Sequence, residues 1–377
     1  MNRIYLDHAA TTPMAEQVVH TLVEEMNNVY GNASSIHQTG RIARKKLDDA
    51  RRILAQSIGA QEIEITITSG GTEADNYALF GTAYARKALG KHIITTQIEH
   101  HAILHACQQL EKEGFEITYL PVDQTGLISI DDLKKALRQD TILVSIMFAN
   151  NEVGTIQPIK EIGNILKDHQ AYFHTDAVQA YGSVSIDVKE TYIDLLSVSS
   201  HKINGPKGIG FLYQNKDIYL KPLLYGGQQE RKKRAGTENV PAIVAFAKAV
   251  EIKQQNIEKS NEHYRTLRDT FVEQLQTNGV EFKINGSLEN LLPHVVNVSI
   301  PKTDVETFLV QLDLAGIDAS SGSACTAGSI DPSHVLVAMY GEKTPELRNS
   351  VRFSFGLNNT KEEAIEAANK ISKIILG

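Results

Sequence analysis

Short apolar runs separated by helix-patterned stretches fill the chain from about residue 60 to residue 215. The runs Ile63–Ile67, His92–Thr95, Glu116–Pro121, Ile142–Phe148, Tyr172–Asp176, Leu195–Ser199 and Gly210–Tyr213 have strand length and are rich in β-branched residues. Helical stretches such as Ala102–Lys112 and Ile159–Lys167 lie between several of them. Repeated βα units of this kind predict an α/β fold with a mostly parallel sheet flanked by helices. Which edges run antiparallel stays open.

The pattern then changes. Val240, Ile243, Val244 and Ala247 recur at helical spacing, and the polar run IKQQNIEKSNEHYRTLRD continues it. This predicts one long helix linking two domains. From about residue 280 a smaller α+β unit is expected. Its strands are Val295–Ile300 and Val351–Phe355, and its helices are Val305–Ala315 and Lys361–Leu376. Between them SSGSACTAGSIDPS is rich in small residues and reads as a mobile loop.

A chain of 377 residues is long enough for two domains. A formal net charge of −7 argues against a surface built to coat nucleic acid. The basic cluster Arg41, Arg44, Lys45, Lys46, Arg51 and Arg52 is mixed with Asp48 and Asp49 and reads as a solvated helix face. The run from Arg231 to Arg234 is denser, and contact with an acidic partner there is a second reading. The opening MNRIYLDHAATTP has no apolar signal core, and no apolar run approaches the ~18 residues of a membrane span. A cytoplasmic protein with no membrane and no direct nucleic-acid partner is expected. The two cysteines, Cys107 and Cys325, offer no disulfide framework or metal-type pair, which suits a reducing compartment.

The chemistry concentrates in a few strings. In SSHKINGPKG, Lys202 follows an apolar strand and precedes a turn rich in Gly and Pro. A lysine there is either surface charge or, at the carboxyl end of a sheet strand, a Schiff-base nucleophile in a cleft. In HTDAVQA, Asp176 ends a strand and serves either as a helix cap or as the partner of a pyridinium nitrogen, with Gln179 near the same ligand. TSGGTEADN follows a strand and opens a helix, so Gly71 and Thr72 present a helix N-terminus to an anion. The plain N-cap reading stays open, and the string is neither a Walker loop nor GxGxxG. Cys107 sits among apolar residues at helical spacing and reads as packing. Cys325 lies in the small-residue loop, where a free thiol is a liability unless it is used.

In order along nearly the whole chain stand YLDHAATTP, GNASSIH, TSGGTEADN, EHHAI, NNEVG, TDAVQA, SSHKINGPKG, RAGTEN, SSGSACT and VRFSFG. Together they resemble cysteine desulfurases of the IscS/NifS kind, class V aminotransferase-like enzymes of pyridoxal-phosphate fold type I. SSHKINGPKG and SSGSACT are the specific strings, and the second resembles the group with the longer cysteine loop.

The resemblance implies the following. A large cofactor-binding domain would span residues 15–255, and a small domain of residues 1–14 and 256–377 would carry the cysteine loop. Lys202 would bind pyridoxal 5'-phosphate covalently. His100, rather than His101, would stack on the ring and handle protons. Asp176 would pair with the ring nitrogen and Gln179 with the ring hydroxyl. Gly71, Thr72, Ser199 and His201 would hold the phosphate, helped by Thr237 of a second subunit in a homodimer. Asn151 would contact cofactor and substrate, and with Arg352 it would hold the substrate carboxylate. Cys325 would take the sulfur of L-cysteine as a persulfide, leaving L-alanine.

The sulfur would pass to an acceptor protein, such as an iron–sulfur scaffold or a tRNA thiolation enzyme. No metal would be required for desulfuration, although Cys325 is a possible iron–sulfur contact, and hence metal-binding, during transfer. Some relatives continue past the position of Gly377 into a tail that helps dock an iron–sulfur scaffold, which leaves docking of that particular partner open. Two rivals stay open. An aminotransferase or selenocysteine lyase would need Lys202 but not Cys325. A non-catalytic sulfur carrier would need Cys325 but not Lys202.

Overall fold

The computed structural model describes residues 3–322 and 332–377. In chain order the first elements are β1 (Ile4–Tyr5), α1 (Glu16–Asn28), α2 (Gln38–Gln56), β2 (Ile65–Thr68), α3 (Gly71–Arg86), β3 (His92–Thr96), α4 (His101–Lys112) and β4 (Glu116–Leu120). Then come α5 (Ile130–Ala136), β5 (Thr141–Ser145), α6 (Ile159–Leu166), β6 (Tyr172–Asp176), β7 (Leu195–Ser199), β8 (Gly210–Gln214), α7 (Val240–Gln255) and α8 (Ile257–Thr277). The last are β9 (Lys283–Asn285), β10 (Val295–Ser299), α9 (Val305–Leu314), β11 (Ile317–Asp318), α10 (His334–Tyr340), α11 (Glu346–Asn349), β12 (Ser350–Ser354) and α12 (Lys361–Leu376).

Among the described residues the large sheet has strand order β2-β8-β7-β6-β5-β3-β4. The strands from β7 to β4 run parallel, while β8 is antiparallel to both β2 and β7. Link length decides this. A parallel neighbour needs a crossover of about a dozen residues or more, usually helical. The link from Ser199 to Gly210 holds only a short turn, so β8 folds straight back beside β7. Every residue of β2, β3, β5, β7 and β8 is buried. Such strands are covered on both faces, which explains their unbroken apolar character. On one side Tyr77, Leu79 and Ala83 of α3 pack with Ile93, Leu143 and Leu212. On the other, Ile162 and Leu166 of α6 and Phe246 of α7 pack with Phe173 and Phe211.

The smaller unit is an antiparallel sheet in the order β12-β10-β9, in which Arg352 pairs with Asn297. Phe271 of α8, Phe308 of α9 and Ile371 of α12 cover it. Thr360 and Glu363 close a capping box at the start of α12. The chain's first strand folds here rather than with the large sheet. β1 pairs with β11, and Ile4 and Leu6 enter this core.

Three expectations are corrected. The run Ile63–Ile67 is not all strand: Glu62–Glu64 form a 3-10 turn, Ile63 is 47% exposed, and β2 begins at Ile65. In the run Ile142–Phe148 the regular strand ends at Ser145: the Ile146 and Phe148 N–H groups still donate to His174 and Asp176 of β6, but on the other edge the Met147 N–H donates to Glu99 Oε1 instead of to a strand. The long linking helix is two helices. The chain breaks at Asn256 (φ −131°, ψ 16°) because α7 packs against α1 and α2 whereas α8 packs against α12.

The basic face of α2 is also only partly solvated. Arg44 and Lys45 make exposed pairs with Asp48 and Asp49, but Arg51 is buried and paired with Glu230 at 2.6 Å. Cys107 is fully buried beside Ile103 and Leu110, as its spacing predicts, and burial pushes its thiol far up. No helix among the described residues is long and apolar enough to cross a membrane.

Candidate active site

β6 and β7 lie side by side and end at the same edge of the sheet. Asp176 is the last residue of β6, Ser199 the last of β7, and Lys202 closes the short turn that follows. α3 starts from that edge after β2, and α4 starts there after β3 with His100 as its cap. This is where an open α/β sheet leaves a crevice.

A cavity of about 270 Å3 occupies it, lined by Gly71, Thr72, His100, Asn151, Asp176, Gln179, Ser199, His201, Lys202 and Arg352. Those ten expected residues come together from points across the chain. Thr237 is exposed and lies outside this cavity. Cys325 lies outside the described residues. On either side of that stretch, Ser333 donates to Glu152, and Gly322 packs closely against the same carboxylate, next to Asn151.

The α3 N-terminus has no side-chain cap, because its N-cap is Gly70 at φ 149°. The first N–H groups of a helix have no partner within it and carry partial positive charge. Thr72, Ser199 and His201 stand beside them in the cavity wall. A Cβ on Gly71 would lie 2.8 Å from Val178 Cγ2, so the close approach of this turn requires glycine. His201 shares a hydrogen bond with Thr11 through Nδ1, and burial, then the charge of Lys202, lowers it to about 4.

Lys202 Nζ donates to the carbonyls of Ala9 at 2.5 Å and Ala10 at 2.8 Å. Asp176 Oδ1 accepts from the Val178 N–H at 2.9 Å. Burial lifts the Asp176 carboxyl to about 6, against the pull of that hydrogen bond and of Lys202. Asp75, buried nearby, is held well above the usual carboxylate range by burial and then by the charge of Asp176. His174 approaches Asp75 at 3.7 Å, but burial drops the ring to about 3, so this neutral contact is not an ion pair. Gln179 spends its Nε2 on the Ala9 carbonyl, which leaves its Oε1 for a ligand.

His100 Nδ1 accepts from the Ala102 N–H at 3.1 Å. In the neutral ring the proton therefore sits on Nε2. Burial, then Lys202, lowers His100 to about 4, so the ring is neutral at ordinary pH. Arg352 is 2% exposed and donates to the Asn151 carbonyl at 2.7 Å and to Asp7 at 2.9 Å. Its Nε is buried with no hydrogen-bond partner among the described residues.

These donors fit pyridoxal phosphate: an uncapped helix end for the phosphate, a buried carboxylate for the ring nitrogen, and a lysine between them. Sequence reasoning missed several walls of the cavity, namely Ala9, Ala10, Asp75, Met147, Ala149 and Val178. Ala9 and Ala10 act through backbone carbonyls, which leave no trace in residue type. Asp75 was visible within TSGGTEADN, but its burial was not.

The family model described as aminotransferase class-V matches residues 4–366. A Bacillus subtilis (strain 168) protein, provisionally named cysteine desulfurase IscS 1, is 57% identical over 375 residues, covering 100% of this chain and 99% of its own. Cysteine desulfurase IscS of Methanosarcina thermophila is 50% identical over 372 residues, covering 99% of this chain and 92% of its own. Among solved structures, a NifS-like protein superposes with a TM-score of 0.93 at 36% identity and 99% coverage of each chain. SspA in complex with cysteine superposes with a TM-score of 0.81 at 36% identity, covering 93% of this chain and 98% of its own.

Proposed function

The chain belongs to the aminotransferase class-V family, and from that premise we propose that it is a pyridoxal-phosphate-dependent cysteine desulfurase. It converts L-cysteine to L-alanine and keeps the sulfur for transfer. The observation that carries this reading is the single cavity in which Lys202, Asp176, His100, Arg352 and the open N-terminus of α3 meet. The cysteine desulfurase names of relatives at 57% and 50% identity support it. So does a structural neighbour solved with cysteine.

Pyridoxal phosphate, when bound, supplies the electron sink that lets an α-proton leave and weakens the bond from the β-carbon to sulfur. Lys202 would hold it through Nζ and, once released, would take the α-proton there. Asp176, a carboxylate above pH about 6, would pair with the ring nitrogen and keep it protonated. Gly71, Thr72, Ser199 and His201 hold the phosphate, with Thr237 reaching it from the second copy of a homodimer. Gln179 accepts from the ring hydroxyl through Oε1. Arg352 and Asn151 hold the substrate carboxylate, and the unpartnered Nε of Arg352 supports that role.

His100 works through Nε2, since its Nδ1 is engaged by the backbone, and it exchanges the proton of the sulfur groups there. The Cys325 thiolate attacks the substrate sulfur. A sulfur–sulfur bond forms, the carbon–sulfur bond breaks, and its electron pair stays with the carbon side. The persulfide then passes to an acceptor protein for iron–sulfur assembly or for tRNA or cofactor thiolation. Gly322 and Ser333, the described residues that flank the stretch with Cys325, both lie against Glu152. We assign residues 15–255 to a large domain and residues 1–14 and 256–377 to a small one, and we place the protein in the cytoplasm.

The test is direct. Purified protein is expected to be yellow, to change its absorption on adding L-cysteine, and to form sulfide and alanine in equal amounts with a thiol present. A colourless protein that carries sulfur would favour a scaffold. A coloured protein that turns over amino donors without releasing sulfide would favour an aminotransferase.

A further inference from the structure

A second cavity, of about 20 Å3, lies behind Lys202. It is large enough for one water molecule. Its walls include Lys202, Lys253, Tyr264, His8 and His294. Lys253 comes from α7 and Tyr264 from α8; His8 follows β1, and His294 precedes β10. The cavity therefore sits at the seam between the two cores, touching the back of the proposed cofactor lysine.

Lys253 is 6% exposed, and its Nζ donates to the Tyr264 hydroxyl at 2.8 Å. Among the described residues it makes no ion pair, and burial alone lowers its ammonium to about 8. The groups facing it do not neutralise it. Burial holds His8 at about 4 and His294 at about 3, so both rings are neutral. Both have a buried Nδ1 without a hydrogen-bond partner among the described residues. The Tyr264 phenol is pushed up by burial and stays protonated. Asp7 and Arg352 are paired with each other. After burial, the titration of His294 is displaced by Lys253, His8, Arg352 and Lys202, so one ring senses both lysines.

A buried cation without a carboxylate is costly to keep. Its electrostatic consequence for a neighbouring amine is plain, since like charges disfavour each other's charged forms. We propose that Lys253 is a positioning residue for Lys202: its ammonium, held in the polar cavity behind that lysine, weakens the hold of Lys202 Nζ on a proton and so favours the neutral nitrogen that the reaction uses. This rests on Lys202 being the cofactor lysine. It needs no contact between the two ammonium groups, only a shared pocket shielded from bulk water, as in other lysines activated beside a second cation.

The experiment is a pH titration of the visible absorption of the holoenzyme, which reports protonation at Lys202 Nζ and is independent of turnover. Lys253→Met is expected to move the midpoint up by about one pH unit, a tenfold change in proton affinity. Lys253→Arg keeps the charge and is expected to keep the parental midpoint. Tyr264→Phe keeps the ring but removes the acceptor of the Lys253 proton, so it is expected to shift the midpoint upward by less; it serves if Lys253→Met does not fold. A coloured Lys253→Met or Tyr264→Phe protein with the parental midpoint overturns the inference alone. So does Lys253→Arg shifted as far as Lys253→Met. A parent protein whose cofactor is not fixed at Lys202 by borohydride overturns the underlying reading instead.

Discussion

Arg352 of β12 donates from Nη2 to Asp7 Oδ1 at 2.9 Å, tying the small sheet to the chain's opening turn beside the main cavity. The same guanidinium donates from Nη1 to the Asn151 carbonyl, so two of its edges are fixed and Nε is left. A buried arginine held this way is pre-oriented for a carboxylate. Arg352→Ala is expected to lower kcat/KM for L-cysteine by roughly 30-fold, about 2 kcal/mol, mostly through KM. Arg352→Lys should recover only part, because a lysine cannot reproduce the planar fork. Steady-state alanine formation measures both, and an unchanged KM in Arg352→Ala would remove the residue from the substrate site.

Lys202 is half-buried in the cavity wall, where Nζ donates to the backbone carbonyls of Ala9 and Ala10. Lys202→Ala should keep the fold by circular dichroism while losing the covalently bound cofactor. Borohydride treatment followed by peptide mass spectrometry decides. Cofactor still fixed at the same peptide in the mutant would show that another residue binds it.

The two cysteines should part company. Cys325→Ala is expected to stay yellow and bind cysteine, yet form no alanine in a single turnover without added thiol. Cys107→Ala should turn over normally and lose only about 1–2 kcal/mol of stability from a small packing defect. Normal alanine yield from Cys325→Ala, or none from a folded Cys107→Ala, would mean the nucleophile is misassigned.

Glu99 makes a stability prediction with a definite sign. It is fully buried, Oε1 accepts from Thr96 and from the Met147 N–H, and Oε2 has no hydrogen-bond partner among the described residues. Burial lifts its carboxyl to about 8 in the folded protein. The folded state then binds the proton more tightly than the unfolded chain. The associated stability is fully present below the ordinary carboxylate range, about 4.3, and is lost as pH rises through about 8. The buried histidines act with opposite sign between their folded values near 4 and about 6.5, whereas Asp75, also held up by burial, acts with the same sign as Glu99, so the Glu99→Gln comparison is what isolates the Glu99 share. Apoprotein should lose thermal stability between about pH 6.5 and about pH 8.5, and Glu99→Gln, which keeps the acceptor oxygen, should flatten that decline. Parallel melting curves for the two proteins would contradict the buried-acid assignment.

The sequence by itself determined the βα rhythm, the parallel sheet and the residues at the strand ends. Apolar strand runs must be buried on two faces, and such sheets open a crevice where their strands end. Asp176 and Lys202 were therefore legible as neighbours although residues 177–201 separate them. Only the tertiary structure decided the rest. Whether α7 and α8 form one rod depended on which partner each helix packs against. Whether Arg51 meets water depended on Glu230, far along the chain. The charge behind Lys202 depended on Lys253, Tyr264, His8 and His294, four residues of ordinary types scattered from residue 8 to residue 294. A pattern read along the chain reports how each residue prefers to meet water. The proton affinity of a buried group is set by which distant neighbours exclude that water, and this exists only once the two cores have packed together.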